Sequence, residues 1–323
     1  MRRAAWLALL GASLAGTAGP AAGQAGRPIH ASDDAGRPLV LPAPARRIVS
    51  LAPHATELLY AAGAGSRLVG VDRDSNYPPE ALKLPRGGDG MQPNVEYLLA
   101  LQPDLVVLWA YGARSSDALL DRFGIVRYTS NPRRLADIPD AIERLGELAG
   151  TAGAARASAE PLRRRLAQLR ARYAGQAPVR VFYQVGTQPM YTVNDGGIIG
   201  DALRTCGAVN IFGGLPAASP QVSAEGVLQQ RPQAIVIGRS GQGAEAALAE
   251  WRTLGPTLTI PSSAIWTVDP DTMHRPGPRM IAATARLCER IDAVRKANAD
   301  GLRPQSGERG KNGREREPRR RDP

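Results

Sequence analysis

The sequence predicts an α/β fold in which two Rossmann-like lobes are joined by a single long backbone helix, with a ligand cleft between the lobes. Short β-branched segments alternate with helical segments along most of the chain, an order typical of parallel sheets covered by helices. The alternation stops once, at an Ala- and Arg-rich helical stretch over residues 152–173, and then resumes. A similar helix–proline–strand segment occurs on each side of that stretch, which indicates lobes of related geometry.

The first lobe is predicted over residues 24–150 and begins with an extended arm at 28–45, which turns at Asp33–Gly36. The strands are predicted at 47–51, 68–71, 105–109 and 125–128, and the helices at 56–62, 95–101, 117–123 and 138–148. The strands are mainly apolar, as expected for strands buried on both faces of a parallel sheet.

Residues 151–175 are predicted to form a rigid connector, because Leu162, Leu166 and Leu169 follow helical spacing over a stretch too long for a usual crossover. The second lobe follows at 176–300. Its strands are predicted at 179–185, 234–237 and 264–268, and its helices near 198–205, 223–230, 245–251 and 278–296.

The repeated segment begins with Glu96 in the first half and Glu225 in the second. A proline follows seven residues later in each copy, at Pro103 and Pro232, and a β-branched strand comes directly after it. Proline ends the helix, and the apolar run then enters the sheet. A generic helix-to-strand unit can match once by chance, but the same offset in both halves favours duplicated geometry.

The N-terminal residues 1–23 are typical of a secretory signal peptide. Arg2 and Arg3 precede an uncharged run at 4–14, and small residues follow at 21–23. About 11 apolar residues are too few to span a bilayer, so we expect export to the periplasm and cleavage. No cysteine follows this run, which argues against lipid attachment, and no later segment is apolar enough for membrane insertion.

The net charge of +11 does not predict a nucleic-acid partner. Residues 302–323 hold a surplus of four basic residues, and the signal peptide holds two more, so the folded part carries about +5. The segment 301–323 lacks apolar periodicity and is rich in Arg, Gly, Pro and Glu, so we expect a disordered, solvated basic tail. A weak affinity for anionic surfaces stays open.

Cys206 and Cys288 are the two cysteines of the chain. In an oxidising compartment an even number favours one disulfide, which would close a loop of about 80 residues. Two buried thiols are the alternative. Neither cysteine belongs to a C-x-x-C pair, so redox catalysis is not expected.

Six segments carry a family resemblance: RIVSLAPHATELLYAAGAG (47–65), SNYPPEA (75–81), NVEYLLALQPDLVVLW (94–109), CGAVNIF (206–212), PQVSAEGVLQQRPQAIVI (220–237) and HRPGPRMIAATARLC (274–288). In this order they resemble the cobalamin-binding members of the helical-backbone (class III) metal-chelate periplasmic binding proteins. The resemblance implies a monomer that delivers cobalamin (vitamin B12) or another corrinoid to an ABC transporter permease dimer. The corrinoid is cargo, so no cofactor is implied.

The resemblance also implies roles for single residues. Cys206 and Cys288 match the cysteines that form the family's disulfide. Trp109 matches a ring beside the corrin, and Asp271 and Arg275 match polar residues that contact the ligand. Further ligand-binding candidates, each with a packing alternative, are Tyr77, Tyr191 and His54. Arg279 is expected to anchor the final helix rather than contact the ligand.

Glu96 and Glu225 match surface carboxylates, one per lobe, that dock onto arginines of the two permease subunits. Two matched acidic contacts suit a two-fold partner, because charge pairs set register and on-rate. A glutamate in the first turn of a helix also stabilises the helix dipole, and the two roles are compatible.

The sequence departs from the best-known cobalamin binder at four positions. Asp74, Gly90, Val185 and Ser219 stand where that protein has further aromatic residues around the ligand. Fewer rings mean less apolar contact with the corrin faces. Haem and iron–siderophore chelates therefore stay open as alternative ligands.

Two other function classes receive weaker support. His30, His54 and His274 would suit direct binding of zinc or manganese, but their spacing does not predict convergence on a metal ion. A periplasmic enzyme would need a nucleophile and a base. The segment at 241–246 fits a relaxed dinucleotide fingerprint, but it lies late in the chain and is a weak match. We therefore predict a protein without catalytic residues.

Overall fold

A computed structural model describes residues 28–88, 94–110, 120–258 and 260–301. The chain begins with a hairpin of two antiparallel strands, β1 (Ile29–Ser32) and β2 (Pro38–Leu41). Asp33 organises the turn, because its carboxylate accepts hydrogen bonds from the backbone of Ala35 at 3.0 Å and of Arg37 at 2.9 Å. Gly36 supplies the positive φ of 79° that this turn requires.

The first lobe is a four-stranded parallel sheet in the order β4-β3-β5-β6. Its strands are β3 (Ile48–Leu51), β4 (Leu68–Val71), β5 (Leu105–Trp109) and β6 (Arg127–Ser130). Its helices include α1 (Pro53–Ala61), α2 (Val95–Leu101) and α3 (Asp137–Ala149). β3 is buried along its whole length, and its one polar residue, Ser50, donates its hydroxyl to the Ala52 carbonyl at 3.1 Å.

The connector α4 (Ala152–Tyr173) covers the range predicted for it. It packs mainly on α3, and Leu166 and Leu169 lie on its buried face. At 22 residues the helix is roughly 33 Å long, about the diameter of a small domain. One continuous helix therefore carries the chain from the first lobe to the second.

The second lobe is a parallel sheet in the order β10-β7-β11-β12. Its strands are β7 (Val179–Gln184), β10 (Ala208–Asn210), β11 (Ala234–Gly238) and β12 (Ile265–Val268), and a short antiparallel pair is formed by β8 (Gly186–Thr187) and β9 (Met190–Tyr191). Its helices include α5 (Ile198–Thr205), α6 (Ala224–Gln229), α7 (Gln242–Leu258), α8 (Pro270–Met273) and α9 (Pro278–Gly301).

The two lobes repeat the same geometry, which confirms the duplication predicted from the sequence. In each sheet the strands follow the spatial order second, first, third, fourth. The residues before the two repeated prolines, Gln102 and Arg231, have φ values of 44° and 46°, and they are the non-glycine residues with positive φ in the described ranges. Both helix ends therefore turn in the same left-handed way before the third strand begins.

Some element bounds differ from the sequence prediction. β6 begins at Arg127 rather than at Ile125, because Ile125 closes a turn by donating its N–H to the Leu120 carbonyl at 3.0 Å. β8, β9 and β10 were not predicted; at two or three residues they carry no periodicity of their own. The predicted helix at 117–123 lies partly outside the described residues.

The disulfide Cys206–Cys288 is confirmed, and it joins the end of α5 to the middle of α9. Both cysteines are fully buried. Residues 1–23, Gly90 and residues 302–323 lie outside the described ranges. Within those ranges no helix combines the length and apolar character that a membrane crossing requires.

Candidate functional site

A cavity of about 570 Å³ lies between the two lobes, and we call it the central cavity. The first lobe contributes Trp109 at the end of β5 and Asn131 directly after β6. The second lobe contributes Val185 after β7 and His274 after α8. The carboxyl ends of parallel strands meet at one edge of a sheet, so two facing lobes bring these residues together.

The wall of the central cavity is about half apolar and half polar. Trp109 is its largest aromatic side chain, and His274 is the other aromatic one. The other apolar lining residues are Ala110, Pro132, Val185, Val193, Ile198, Ile199, Pro216, Ala218 and Pro276. A wall of both kinds can contact the apolar faces and the polar rim of a flat ligand. Of the positions where the sequence lacks expected rings, Val185 and Ser219 line this wall, and Asp74 is exposed.

His54 lies behind Trp109 and not in the cleft. Its ring is fully buried and meets the Trp109 ring edge-on, with centroids 4.7 Å apart. Its Nε2 atom forms a hydrogen bond with the Ser130 hydroxyl at 3.0 Å. Burial lowers the pKa of His54 to about 3, so the ring is neutral. Direct contact between His54 and a ligand would require the ring to leave this position; here it supports Trp109.

His274 does line the central cavity. Its Nε2 atom lies 3.2 Å from the Tyr183 hydroxyl, and burial lowers its pKa to about 4, against the opposing effect of Asp269. β11 ends in Gly238, and a Cβ atom there would overlap the His274 ring. The glycine is therefore what allows a neutral imidazole to sit at this strand end.

Asp271, Arg275 and Asn76 form a rim network that joins the two lobes at one edge of the cleft. The Asn76 amide nitrogen donates to Asp271 Oδ2 at 2.7 Å, and Arg275 Nη1 donates to Asn76 Oδ1 at 2.6 Å. Arg275 and Asp271 also form an ion pair at 2.8 Å. The structure thus brings two predicted ligand residues together, on the rim rather than among the residues that line the central cavity.

Tyr77 lies beside this network, and Tyr191 does not. The Tyr77 ring lies 4.2 Å from the Arg279 guanidinium carbon, and the ring is exposed. Tyr191 lies on β9, is also exposed, and is not among the residues that line the central cavity. Exposed rings at a cleft margin can cover a large ligand, so their roles stay predictions.

An ion pair between Glu57 of α1 and Arg279 of α9 connects the lobes beneath the rim network. Arg279 Nε and Nη2 donate to the two carboxylate oxygens of Glu57 at 3.0 and 2.6 Å. Burial raises the pKa of Glu57, and the Arg279 guanidinium opposes that rise. Arg279 anchors the final helix, as expected, and it does so across the lobe boundary.

The opposite edge of the cleft is bridged by Arg133. This residue lies in the loop between β6 and α3, and its Nε and Nη2 atoms donate to the Gly196 carbonyl of the second lobe at 3.2 and 3.0 Å. Sequence reasoning missed Arg133 and Asn131. The rule that ligands meet the carboxyl ends of parallel strands points to the loop after β6, but the predicted strand ended two residues too early.

Glu96 and Glu225 occupy the same position in two equivalent helices. Each is the second residue of its helix, and both are exposed. The residue two positions before each glutamate caps the helix: Asn94 accepts from the Tyr97 backbone at 3.1 Å, and Ser223 accepts from the Gly226 backbone at 3.2 Å. Hydrogen bonds from its own backbone N–H and from Ser223 lower the pKa of Glu225.

The part of the chain that the structure describes contains no group of three or more His, Cys, Asp or Glu side chains placed to hold a metal ion. His54 and His274 are the histidines nearest the cleft, and each is engaged by a hydroxyl group. Of the two, only His274 is among the residues that line the central cavity, where its neutral imidazole could contact a ligand or a chelated metal.

Comparison with known proteins places the chain in a family. The family model described as "Periplasmic binding protein" matches residues 48–252. The vitamin B12-binding protein of Vibrio cholerae serotype O1 is 37% identical over 263 residues, covering 80% of this chain and 93% of that protein. The protein of the same name from Pectobacterium carotovorum is 37% identical over 253 residues, covering 77% and 89%.

Solved structures show the same family similarity. The crystal structure of the periplasmic vitamin B12 binding protein BtuF of Vibrio cholerae matches with a TM-score of 0.73 and 37% identity, over 78% of this chain and 99% of that one. The heme-binding protein RhuT from Roseiflexus matches with a TM-score of 0.68 over 77% and 99%, and at 23% identity this likeness shows the fold alone. The chain, with its two lobes, backbone helix and intervening cleft, belongs to the periplasmic binding protein family.

Proposed function

We propose that the protein binds cobalamin or a related corrinoid in the periplasm and delivers it to the permease of an ABC importer without altering it. The observation that carries the proposal is the central cavity between the two lobes, whose wall combines Trp109 and aliphatic side chains with polar groups. The cavity belongs to a chain that is 37% identical to proteins named vitamin B12-binding. Among the described residues the hydrogen-bonded pair His54–Ser130 is fully buried, so it presents no nucleophile to the cleft, which suits binding without chemistry.

A corrinoid fits the distribution of groups around the central cavity. Its ring faces would pack against Trp109, Ile199 and Val193, whereas its rim amides would meet the side chains of Asn131 and Asn194. Amide groups can donate and accept hydrogen bonds, so they match a ligand rim that carries both donors and acceptors. The cavity therefore offers both apolar and polar contacts, as a flat chelate with a polar rim requires.

Haem is the second candidate, and one observation favours it. His274 presents a neutral imidazole in the wall of the central cavity, and a neutral imidazole can ligate a chelated iron. In this structure the Nε2 atom of that ring is engaged with Tyr183, so haem ligation would break a hydrogen bond. An iron–siderophore chelate has no comparable support from the described residues.

A ligand titration tests the proposal. Purified mature protein is titrated with cyanocobalamin, cobinamide, haemin and a ferric siderophore, and binding is followed by calorimetry and by tryptophan fluorescence corrected for ligand absorption. We expect binding of the corrinoids, and we expect Trp109→Phe to remove most of the fluorescence change. Trp251→Phe is the matched control, because Trp251 is fully buried in the second lobe. Absence of any response to either corrinoid would refute the assignment.

Export and location are part of the same proposal. Residues 1–23 would direct export, and the family to which the chain belongs is periplasmic by description. The Cys206–Cys288 disulfide supports an oxidising compartment, where such bonds persist. Mass spectrometry of protein recovered from the periplasm would show whether the N-terminal segment has been removed.

Docking to the permease would use Glu96 and Glu225. The two carboxylates stand at the same position of helices related by the duplication, each after a capped helix start. A partner with two-fold symmetry could therefore meet each of them with the same basic group. This equivalence in space supports a docking role beyond the general preference for acidic residues at helix starts.

The double variant Glu96→Ala/Glu225→Ala tests docking. We expect it to lose uptake through the cognate permease while its corrinoid affinity stays unchanged. The matched control is Glu147→Ala/Glu250→Ala, which removes one exposed glutamate from each lobe at unrelated positions. Loss of ligand affinity in the first variant, or equal loss of uptake in both, would contradict the docking role.

A further inference from the structure

A second cavity of about 660 Å³, which we call the side cavity, lies next to the central cavity. Asn131, Arg133 and Gly196 line both, so the two spaces adjoin at these residues. The remaining lining residues of the side cavity are Ser32, Asp33, Asp34, Arg134, Asp137, Arg144 and Arg204. A large ligand in the central cavity therefore has a polar space beside it.

The three aspartates of the side cavity are already satisfied. Asp33 accepts from the Arg37 guanidinium at 2.9 Å. Asp34 accepts from the Arg144 guanidinium at 2.7 Å and from the Tyr128 hydroxyl at 2.9 Å. Asp137 accepts from the Arg134 guanidinium at 3.0 Å. Because each of these carboxylates is paired with an arginine, the three aspartates add little net negative charge to the cavity.

Arg133 differs from the other arginines of the side cavity. Arg134 pairs with Asp137 at 3.0 Å, Arg144 pairs with Asp34 at 2.7 Å, and Arg204 pairs with Asp201 at 3.4 Å. The Arg133 guanidinium has no carboxylate partner in the described ranges and meets the neutral carbonyl of Gly196. It is also the one guanidinium that lines the central cavity. Its positive charge is therefore uncompensated where the two cavities join.

The loop that carries Arg133 is held in place at three points. The Asn131 backbone donates to Asp34 Oδ2 at 2.7 Å, and the Arg133 backbone donates to Asp137 Oδ2 at 3.0 Å. The Leu135 backbone donates to Asp201 Oδ2, across the lobe boundary, at 2.9 Å. Three anchors within five residues fix the backbone that carries Arg133, and the two hydrogen bonds to Gly196 hold its exposed guanidinium. A fixed loop lowers part of the entropic cost of binding a ligand.

We infer that the side cavity, through Arg133, binds an oxyanion attached to the ligand in the central cavity. The inference rests on the proposed function and narrows its ligand to a corrinoid that carries the phosphodiester of its nucleotide loop. A guanidinium is planar, always charged and weakly hydrated, and it matches phosphate oxygens better than any other side chain does. Cobinamide lacks that phosphodiester, so it would leave Arg133 unused.

Comparison of two ligands tests the inference. The dissociation constants of cyanocobalamin and cobinamide are measured by calorimetry for the wild type and for Arg133→Gln. We expect about a tenfold weaker affinity for cyanocobalamin, the effect of one exposed charge-assisted contact, and a change under about twofold for cobinamide. Arg133→Lys keeps the charge but not the planar guanidinium, so its affinity for cyanocobalamin should lie between those of the wild type and of Arg133→Gln. The matched control Arg164→Gln, an exposed arginine of α4 that pairs with Glu160 and is not among the lining residues of either cavity, should leave both affinities unchanged.

The outcomes separate the inference from the proposed function. Equal weakening for both ligands would overturn the inference, because Arg133 would then act by bridging the lobes at Gly196, while corrinoid binding would stand. Unchanged affinity for both ligands would overturn it as well. If the wild type binds neither corrinoid, the proposed function fails first and the inference fails with it.

Discussion

The ion pair between Glu57 and Arg279 provides a sharp test of what holds the lobes together. The carboxylate is enclosed, with 2% of its side chain exposed, whereas the guanidinium keeps 25%. The two residues belong to different lobes and make two hydrogen bonds to each other. We consider Glu57→Ala, which leaves a half-buried cation, and Arg279→Leu, which leaves a buried anion.

The two variants should differ in magnitude. Removing one member of a buried ion pair costs about 3–5 kcal/mol in free energy of unfolding, because the other charge is left without a partner. Arg279 can reach water, so we expect Glu57→Ala to cost about 2–3 kcal/mol, below that range. Glu57 cannot reach water, so we expect Arg279→Leu to cost about 4 kcal/mol at pH 8, in the middle of it.

The pH dependence of the free energy of unfolding should also differ between the two variants, and the burial of Glu57 determines its direction. Burial raises the pKa of Glu57, and Arg279 limits the rise. Without Arg279 the pKa of Glu57 rises further, so the folded variant takes up a proton at a higher pH than the unfolded chain does. The folded state of Arg279→Leu therefore recovers stability as the pH falls, and its deficit against the wild type shrinks from pH 8 to pH 5. Glu57→Ala has no carboxyl group to protonate there, so its deficit should not shrink.

Urea unfolding followed by circular dichroism at pH 5, 6.5 and 8 measures these differences. The matched control is the exposed pair Glu160 and Arg164, one turn apart on α4, with 54% and 61% of their side chains exposed. Glu160→Ala should cost under about 0.5 kcal/mol at every pH. Deficits below about 1 kcal/mol in both interlobe variants, independent of pH, would refute the reasoning.

Two further predictions concern the core. The double variant Cys206→Ala/Cys288→Ala should lose about 4.5 kcal/mol of unfolding free energy, which is the chain-entropy value for a sequence separation of 82 residues. Reduced wild type should lose a similar amount. A loss under about 1 kcal/mol in urea unfolding would contradict the chain-entropy explanation. Burial lowers the pKa of His54 to about 3 and that of His274 to about 4. The unfolded chain binds protons at these rings below about pH 6.5, so stability should decline as the pH falls from 6.5 towards 4. Proton NMR titration should find neither ring protonated at pH 6, and an ordinary pKa near 6.5 at either would exclude the burial argument.

The cleft is bounded by contacts on both edges as well as by the connector. The rim network joins the lobes at one edge, Arg133 and Gly196 join them at the other, and Glu57 with Arg279 lies beneath. The Arg133 contact is exposed and is made to a neutral carbonyl, but the same side of the cleft also holds the buried hydrogen bond from the Leu135 backbone to the Asp201 carboxylate. Separation of the lobes would therefore break charge-assisted hydrogen bonds on both sides.

Local patterns in the sequence determined much of the architecture. The connector was predicted at 152–173 and occupies those residues, because leucine spacing and alanine content specify a helix without help from the rest of the fold. The repeat around Pro103 and Pro232 predicted equivalent helix ends, since proline acts on its own neighbours. The pairing of Cys206 with Cys288 followed from there being two cysteines and an oxidising compartment.

Long-range contacts decided the rest. β10 is three residues long and exists because β7 offers it hydrogen-bond partners, which no local pattern announces. His54 was a ligand candidate by sequence, but the packing of β5 and β6 buries it behind Trp109. Arg133 faces Gly196 across 63 positions of sequence. Hydrophobic periodicity, proline and glycine act within a few residues, so they specify helices and strands. The role of a charged group, a cavity or a buried ring depends on residues that are distant in sequence and that only the folded lobes bring together.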